Sequence, residues 1–276
     1  MLVMTATPIP RTLAMVVFGD LDVSMIDGMP EGRQKIVTKV FNEAGRERAY
    51  KLTTEELRVG RQAFFVYPLV DESDSSELLA ATKMASHLKK TAFSEYRIGL
   101  LHGKMKAEEK EEIMLSFRRG DIDILVCTTV IEVGIDIPNA TVMLVEHAER
   151  FGLSQLHQLR GRIGRGPHPS KCLLIVAAKQ TTTAKRRLRI MEQTQDGFRI
   201  AEEDMEIRGP GDMLGVRQAG IPRFRIGDIV RNGDIMGRAR AMAEAWIAHA
   251  HSTELTRVAE ESTRRWGKNL ELYEVL

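Results

Sequence analysis

The 276-residue sequence has only two cysteines, Cys127 and Cys172, and both sit inside apolar runs. A disulfide framework is thereby excluded, and no Cys or His spacing marks a zinc site. The two thiols read as small core residues of a chain kept reduced. No apolar run is long enough to cross a bilayer. The opening residues lack the basic stretch that precedes the apolar core of a signal peptide. These absences point to the cytoplasm. An excess of one charge is missing too: 40 Lys and Arg stand against 38 Asp and Glu, a net +2. Any nucleic-acid surface must then be a local patch rather than a global field. There is no internal repeat and no low-complexity tract. A phosphate-binding P-loop is also lacking. The nearest match, Gly99-Leu-Leu-His-Gly-Lys-Met105, is one residue short and has Met105 where Ser or Thr would hold Mg²⁺. Asp71-Glu-Ser-Asp74 imitates a Walker B carboxylate cluster, but with no P-loop before it the segment reads as a solvated loop.

What is present is an ordinary globular composition, 43% hydrophobic and 28% charged, enough for a sizeable core. Leu2 to Met4 reads as a strand with no lead-in, as if the chain opens in the middle of a domain. Residues 10–34 carry three glycines and two prolines and read as a short helix and a linker. From residue 35 a regular pattern follows. Strands are predicted at 35–41, 63–67, 97–101, 122–127, 141–145 and 171–177. Helices are predicted at 44–59, 77–90, 107–117 and 155–163. Glu108, Glu109, Glu111 and Glu112 sit in the early turns of the third helix, where the helix dipole favours them. Strands apolar on both faces, alternating with helices, predict a parallel α/β sheet. After residue 180 strands stop. A basic helix starts near Lys185-Arg-Arg-Leu-Arg189, a second runs from Gly197 to Arg208, a glycine-rich turn follows, and two or three helices fill the remainder.

Two segments carry chemistry. In Val126-Cys-Thr-Thr-Val-Ile-Glu-Val-Gly-Ile-Asp-Ile-Pro138, Thr128 and Thr129 end a buried strand, where parallel sheets place ligand contacts. Gly134 permits close backbone approach, and Asp136 can accept hydrogen bonds from a ribose. In Gln155-Leu-His-Gln-Leu-Arg-Gly-Arg-Ile-Gly-Arg-Gly166, spacings of four and three put Gln158, Arg162 and Arg165 on one face of a predicted helix. Two guanidiniums on one face suit a triphosphate, because each offers a charged fork of donors. Either can serve as an arginine finger in phosphoryl transfer. A lone Gly-Arg-x-Gly-Arg would read better as a solvated basic helix with structural glycines. The hydroxyl-glycine-aspartate segment upstream turns the balance.

These segments resemble motifs V and VI of superfamily 2 helicases. Thr5-Ala6-Thr7 resembles motif III, Gln62 to Pro68 motif IV, and Leu101-His102-Gly103 the short segment that lies along the DNA backbone. Glu146 to His157, and Asp196 to Gly211 through Gly220, resemble RecG-type helicases. The latter resembles the TRG coupling element, which RecG shares with the transcription-repair coupling factor. Ala219 departs from the usual serine there. The resemblance covers about residues 1–250.

It implies a RecA-like second motor lobe at 35–180, the end of a first lobe and a linker at 1–34, and a TRG hairpin, loop and helical tail at 181–276. It further implies Arg162 and Arg165 as catalytic, Gly134, Asp136 and Gln158 toward ATP, and Thr128, Thr129, His102 and Gly103 toward DNA phosphates. Thr5, Ala6, Thr7, Arg208, Arg217 and Gln218 would couple the two. ATP and Mg²⁺ would be held mainly by a first lobe that is missing here, as is the duplex-splitting wedge, so this chain alone would not turn over ATP. The whole protein would be an ATP-dependent helicase acting as a monomer on branched or forked duplex DNA in recombination and repair. Rival readings are a fragment of a coupling factor and a non-catalytic remnant that binds DNA or a partner. Lys185, Arg186, Arg187 and Arg189 fit a DNA-backbone contact or a solvated face. His102, His147 and His157 read as loop-orienting residues, and Trp246 and Trp266 as packing residues.

Overall fold

The computed structural model describes residues 4, 24, 26, 28, 34–68, 74–128, 136–208 and 232–270. By contacts the chain divides into one unit of Asp27–Gln195 and a second of Met1–Ile26 with Asp196–Leu276.

The first unit is built on six strands: β1 (Ile36–Asn42), β2 (Gln62–Val66), β3 (Ile98–Leu101), β4 (Ile124–Cys127), β5 (Ala140–Val145) and β6 (Ser170–Val176). They lie in the order β1-β6-β5-β2-β4-β3 with every pairing parallel. Interleaved are α1 (Arg46–Arg58), α2 (Asp74–Lys90), α3 (Ala107–Arg119), α4 (Leu153–Arg160) and α5 (Thr182–Gln193). The expected parallel α/β lobe is what the sequence folds into. Every residue of β2, β4 and β5 is buried, as strands covered by helices on both faces require. On one face Phe65 meets Phe93 edge-on at 5.2 Å, and Phe93 meets Tyr50 at 5.3 Å. On another side of β2, Phe64 meets Phe117 at 4.9 Å. Such edge-to-face pairs fix ring positions as well as burying area.

Local chemistry sets the helix ends. Glu109 reaches back to the Lys106 amide at 3.1 Å, satisfying a donor that α3 itself cannot. Gly120, at φ 84°, stops the same helix in a left-handed turn. Thr181 caps α5 by accepting from the Ala184 amide at 3.1 Å.

Several boundaries differ from the sequence reading. β4 starts at Ile124 rather than 122, because Ile122 and Asp123 close the turn in which Asp123 accepts from the Arg97 amide. α5 starts at Thr182, ahead of its basic residues, because the Thr181 cap precedes them. α4 ends at Arg160, not 163, with consequences for the site. The strand predicted at 2–4 and the Asp71–Ser73 loop lie outside the described residues, apart from Met4.

The second unit contains α6 (Gly197–Arg208), α7 (Gly233–Ile247) and α8 (Ser252–Leu270). Trp246, read as a packing residue of the C-terminal helices, is 42% exposed. Among the described residues no helix is long and apolar enough to cross a membrane.

Candidate functional site: two edges of one sheet

The described residues among those singled out from sequence fall mainly at opposite edges of the sheet. At the carboxyl edge, the ladder runs one residue past each of β2, β4 and β5. The Tyr67 amide donates to Cys127 O at 2.9 Å, the Thr128 amide to Leu101 O at 3.3 Å and the Glu146 amide to Val66 O at 2.8 Å. Thr128 and His102 thereby follow adjacent strands, with the Gly103 carbonyl held by Lys110 Nζ at 2.7 Å. Tyr67 follows β2, beside β4.

The buried polar atoms Tyr67 Oη, Thr128 Oγ1 and His102 Nδ1 have no hydrogen-bond partner among the described residues. Buried polar groups are nearly always satisfied, so three at consecutive strand ends call for partners beyond the described residues. Sequence reading missed Tyr67. Its position, one residue beyond an all-buried strand, was the available signal. Burial, with Glu146 nearby, holds its hydroxyl well above the usual phenol range, so it stays a neutral donor. For His102, read as a loop-orienting residue, Nδ1 makes no such bond among the described residues. His157 does have a neighbour, Arg160 Nη2 at 3.2 Å, and His147 lies 3.4 Å from Glu149 in a left-handed backbone conformation, φ 49°.

Glu146, only 1% exposed, is paired with Arg46 and lies 3.4 Å from the Tyr50 hydroxyl. Burial alone would lower the Arg46 pKa, but its bonds to Tyr50 and Glu146 raise it on balance. This ion pair braces β5 against α1 just behind this edge.

At the amino edge the structure brings together the other set. Arg165 Nε lies 3.6 Å from Asp136 Oδ1 and donates to Gly161 O at 3.2 Å. Asp136 precedes β5 and Arg165 precedes β6, so both sit below neighbouring strands. Two glycines make the turn possible. Gly164 has φ 71°, and a Cβ there would come within 2.9 Å of Ile36 Cγ1. A Cβ on Gly166 would come within 2.4 Å of Pro138 O.

Here the single-face reading is corrected. Gln158 is on α4 and exposed, but Arg162 and Arg165 lie in the turn after it. A left-handed glycine cannot continue a helix, and the expected face ends with Arg160. Arg162 is half-buried. The Arg165–Asp136 pair is long and exposed on both sides, 36% and 52%. Such pairs contribute little, so a phosphate oxygen can replace the carboxylate at low cost.

Arg160, unremarked in the sequence, is 2% exposed. Its place with Leu153 and Leu156 on the inward face of α4 was the available signal. Arg187 donates to Phe151 O at 2.9 Å and is half-buried, whereas Lys185, Arg186 and Arg189 are exposed. Thr5, Ala6, Thr7, Thr129, Gly134, Arg217 and Gln218 lie outside the described residues, as does the side chain of Arg208. Among the described residues no three His, Cys, Asp or Glu converge as metal ligands.

The parallel six-stranded lobe thus carries an aspartate-arginine turn at one edge and strand-end hydroxyls at the other. Residues 46–167 match the helicase conserved C-terminal domain, and residues 194–266 match the C-terminal part of domain 3 of the ATP-dependent DNA helicase RecG. The chain is 49% identical to the Synechocystis RecG over 91% of its own length and 30% of that protein. It is 45% identical to the Haemophilus influenzae RecG over 99% of its length and 38% of that protein. Among solved structures, RecG bound to a three-way DNA junction matches with 44% identity and a TM-score of 0.67, over 84% of this chain and 30% of that one. Across nearly its whole length the chain is similar to RecG helicases. It spans about a third of the length of the curated relatives it matches.

Proposed function

We propose that this chain is the second motor lobe, with the coupling region, of an ATP-driven translocase acting on branched DNA. Arg162 and Arg165 face a triphosphate held by a first lobe elsewhere in the complete protein, and stabilise charge on the transferred phosphoryl group. Asp136 and Gly134 face the nucleotide ribose, and Gln158 senses the nucleotide. Magnesium is held with the phosphates by that first lobe, since the donors of this lobe are arginines, cationic and unfit for a metal. His102, Gly103, Thr128 and Thr129 contact DNA phosphates, with Tyr67 as a neutral donor beside them. Thr5, Ala6 and Thr7, and Arg208, Arg217 and Gln218, carry the motion to the duplex. Fork regression and branch migration follow as the work done.

The observation that carries this reading is the division of the sites between the two edges of one sheet. The finger turn lies at the amino edge of β1, β6 and β5, and the hydroxyl and histidine ends at the carboxyl edge of β2, β4 and β3. A motor needs its nucleotide and track contacts on one rigid body but apart. Along strands and across them, the separation is roughly 20–25 Å.

The test is ATP hydrolysis by the complete gene product carrying this chain, with and without three-way junction DNA. Arg165→Ala is expected to lower turnover by about 10³-fold or more while junction binding persists. Thr128→Val is expected to weaken junction binding. The 276-residue chain alone is expected to hydrolyse no ATP. Near-normal turnover by Arg165→Ala would sink the finger assignment.

A further inference from the structure

Arg160 stands between the finger turn and the point where the chain leaves the sheet unit. It is the last residue of α4, immediately before Gly161. Its guanidinium is buried, and Nη1 donates to Met191 O at 2.8 Å and to Thr194 O at 2.9 Å. Thr38 Oγ1 lies 3.4 Å from the same nitrogen, and His157 Nδ1 is 3.2 Å from Nη2. Met191 and Thr194 are the C-terminal end of α5, whose own carbonyls have no intrahelical donor. A cation there also meets the negative end of the helix dipole. Thr194 is followed by Gln195, the last residue of this unit.

Gln195 makes a second tie to the same turn. Its Nε2 donates to Ile36 O at 2.6 Å, and the Ile36 amide lies 3.3 Å from its Oε1. Ile36 is the residue against which Gly164 packs. The finger turn is therefore tied to residues 191–195 through Arg160 at its start, and packs at Gly164 against Ile36, which Gln195 holds. A stem exposed to water could not transmit position in this way. A buried planar guanidinium can, because the two bonds that its Nη1 gives to backbone carbonyls each fix an angle as well as a distance.

We infer that Arg160 is a positioning residue: it holds the segment Gly161–Gly166, and with it Arg165, in register with the end of α5, so that displacement at one is felt at the other. The inference rests on the finger reading of Arg165. Arg160 itself touches no reacting atom.

The experiment is a double-mutant cycle in the complete gene product, reading kcat and KM for ATP, the Kd for three-way junction DNA, and thermal unfolding. Rates are taken well below each variant's melting point and expressed per nucleotide-binding site. Arg160→Met is expected to lower kcat about 100-fold, the size of effect that follows from misplacing a catalytic group by about an ångström. KM and Kd are expected to stay within about threefold. Arg160→Lys, which can reach the carbonyls with one ammonium but not a fork, is expected to recover part of the rate. The double variant Arg160→Met with Arg165→Ala is expected to be no slower than Arg165→Ala alone, since Arg160 acts through Arg165.

Parent-level kcat per binding site in Arg160→Met overturns the inference, and so do effects of the two substitutions that multiply. Should Arg160→Met fail to fold, parent-level kcat in Arg160→Lys overturns it instead. A slow Arg165→Ala beside a fast Arg160→Met removes this inference and leaves the proposed function standing. A fast Arg165→Ala removes both.

Discussion

Gly166→Ala tests whether the turn before β6 is as tightly set against the segment before β5 as the geometry implies. A Cβ at Gly166 would lie 2.4 Å from Pro138 O, and Cβ contacts below 3.0 Å essentially do not occur. The difference, 3.0 minus 2.4, means that the two backbones must part by at least 0.6 Å. The obstacle is main chain, so no side-chain rotation relieves the clash. Overpacking of this kind costs about 1–3 kcal/mol. The same displacement moves Arg165 relative to Asp136, two residues from Pro138. A misplacement of about an ångström costs on the order of 100-fold in rate, so turnover is expected to fall somewhere between about 10- and 100-fold.

The control is Gly120→Ala. Gly120 has φ 84°, but a methyl added there would meet nothing within 4 Å, so only the left-handed conformation is penalised, by about 1–2 kcal/mol. The two variants should therefore lose comparable stability in urea titrations, yet only Gly166→Ala should lose ATP turnover per folded molecule in the complete gene product. Equal turnover in the two would refute the argument that spacing at Gly166 sets the finger.

Three further outcomes are expected. Arg46→Met leaves the Glu146 carboxylate, 1% exposed, without its cation, and should cost about 3 kcal/mol or more in urea unfolding; Glu146→Gln, which removes the charge itself, should cost less. Asp123 is held below its usual carboxylate range by the hydrogen bond from Arg97, so its contribution is present above about pH 4 and is lost as pH falls through the depressed value; the stability gap between the parent and Asp123→Asn should be full near neutrality and close in acid. Burial pushes the Cys172 thiol up to about 12 and the Cys127 thiol higher still, so a thiol-reactive dye at about pH 8 should label neither until urea unfolds the sheet; rapid labelling of the native chain would contradict the packing of β4 and β6.

The strands were legible because burial on both faces writes itself as an unbroken apolar run, as in Ala63-Phe-Phe-Val66 and Ile124-Leu-Val-Cys127. The end of α4 was not. Leu156, Leu159 and Ile163 keep a helical spacing straight through the true boundary, and all three are buried. What halts the helix at Arg160 is the turn beyond it, where Gly164 takes a positive φ and fits against Ile36, more than a hundred positions away in the chain. Periodicity cannot register a partner so distant. For the same reason Arg160 looked like one more arginine among three, although its surroundings differ entirely from those of Arg165: the first is sealed against backbone carbonyls, the second is exposed beside a carboxylate.

That contrast explains how one short sequence can hold a rigid support and a responsive contact side by side. Arg160 donates to carbonyls of the same unit, buried at Met191 and part-buried at Thr194, which makes it a support rather than a contact. The Arg165–Asp136 pair is solvent-exposed and long, with little to lose on exchange. Asp136 also lies on the segment that leaves β4 at Thr128, so a single stretch of chain begins at the edge carrying the strand-end atoms that lack partners among the described residues and finishes at the edge carrying the finger turn. If a phosphate draws Arg165 from Asp136, the far end of that stretch is Thr128. Thr128→Val and Asp136→Ala should then interact non-additively in junction-stimulated hydrolysis, whereas Thr128→Val and Arg97→Ala, with no shared segment, should add.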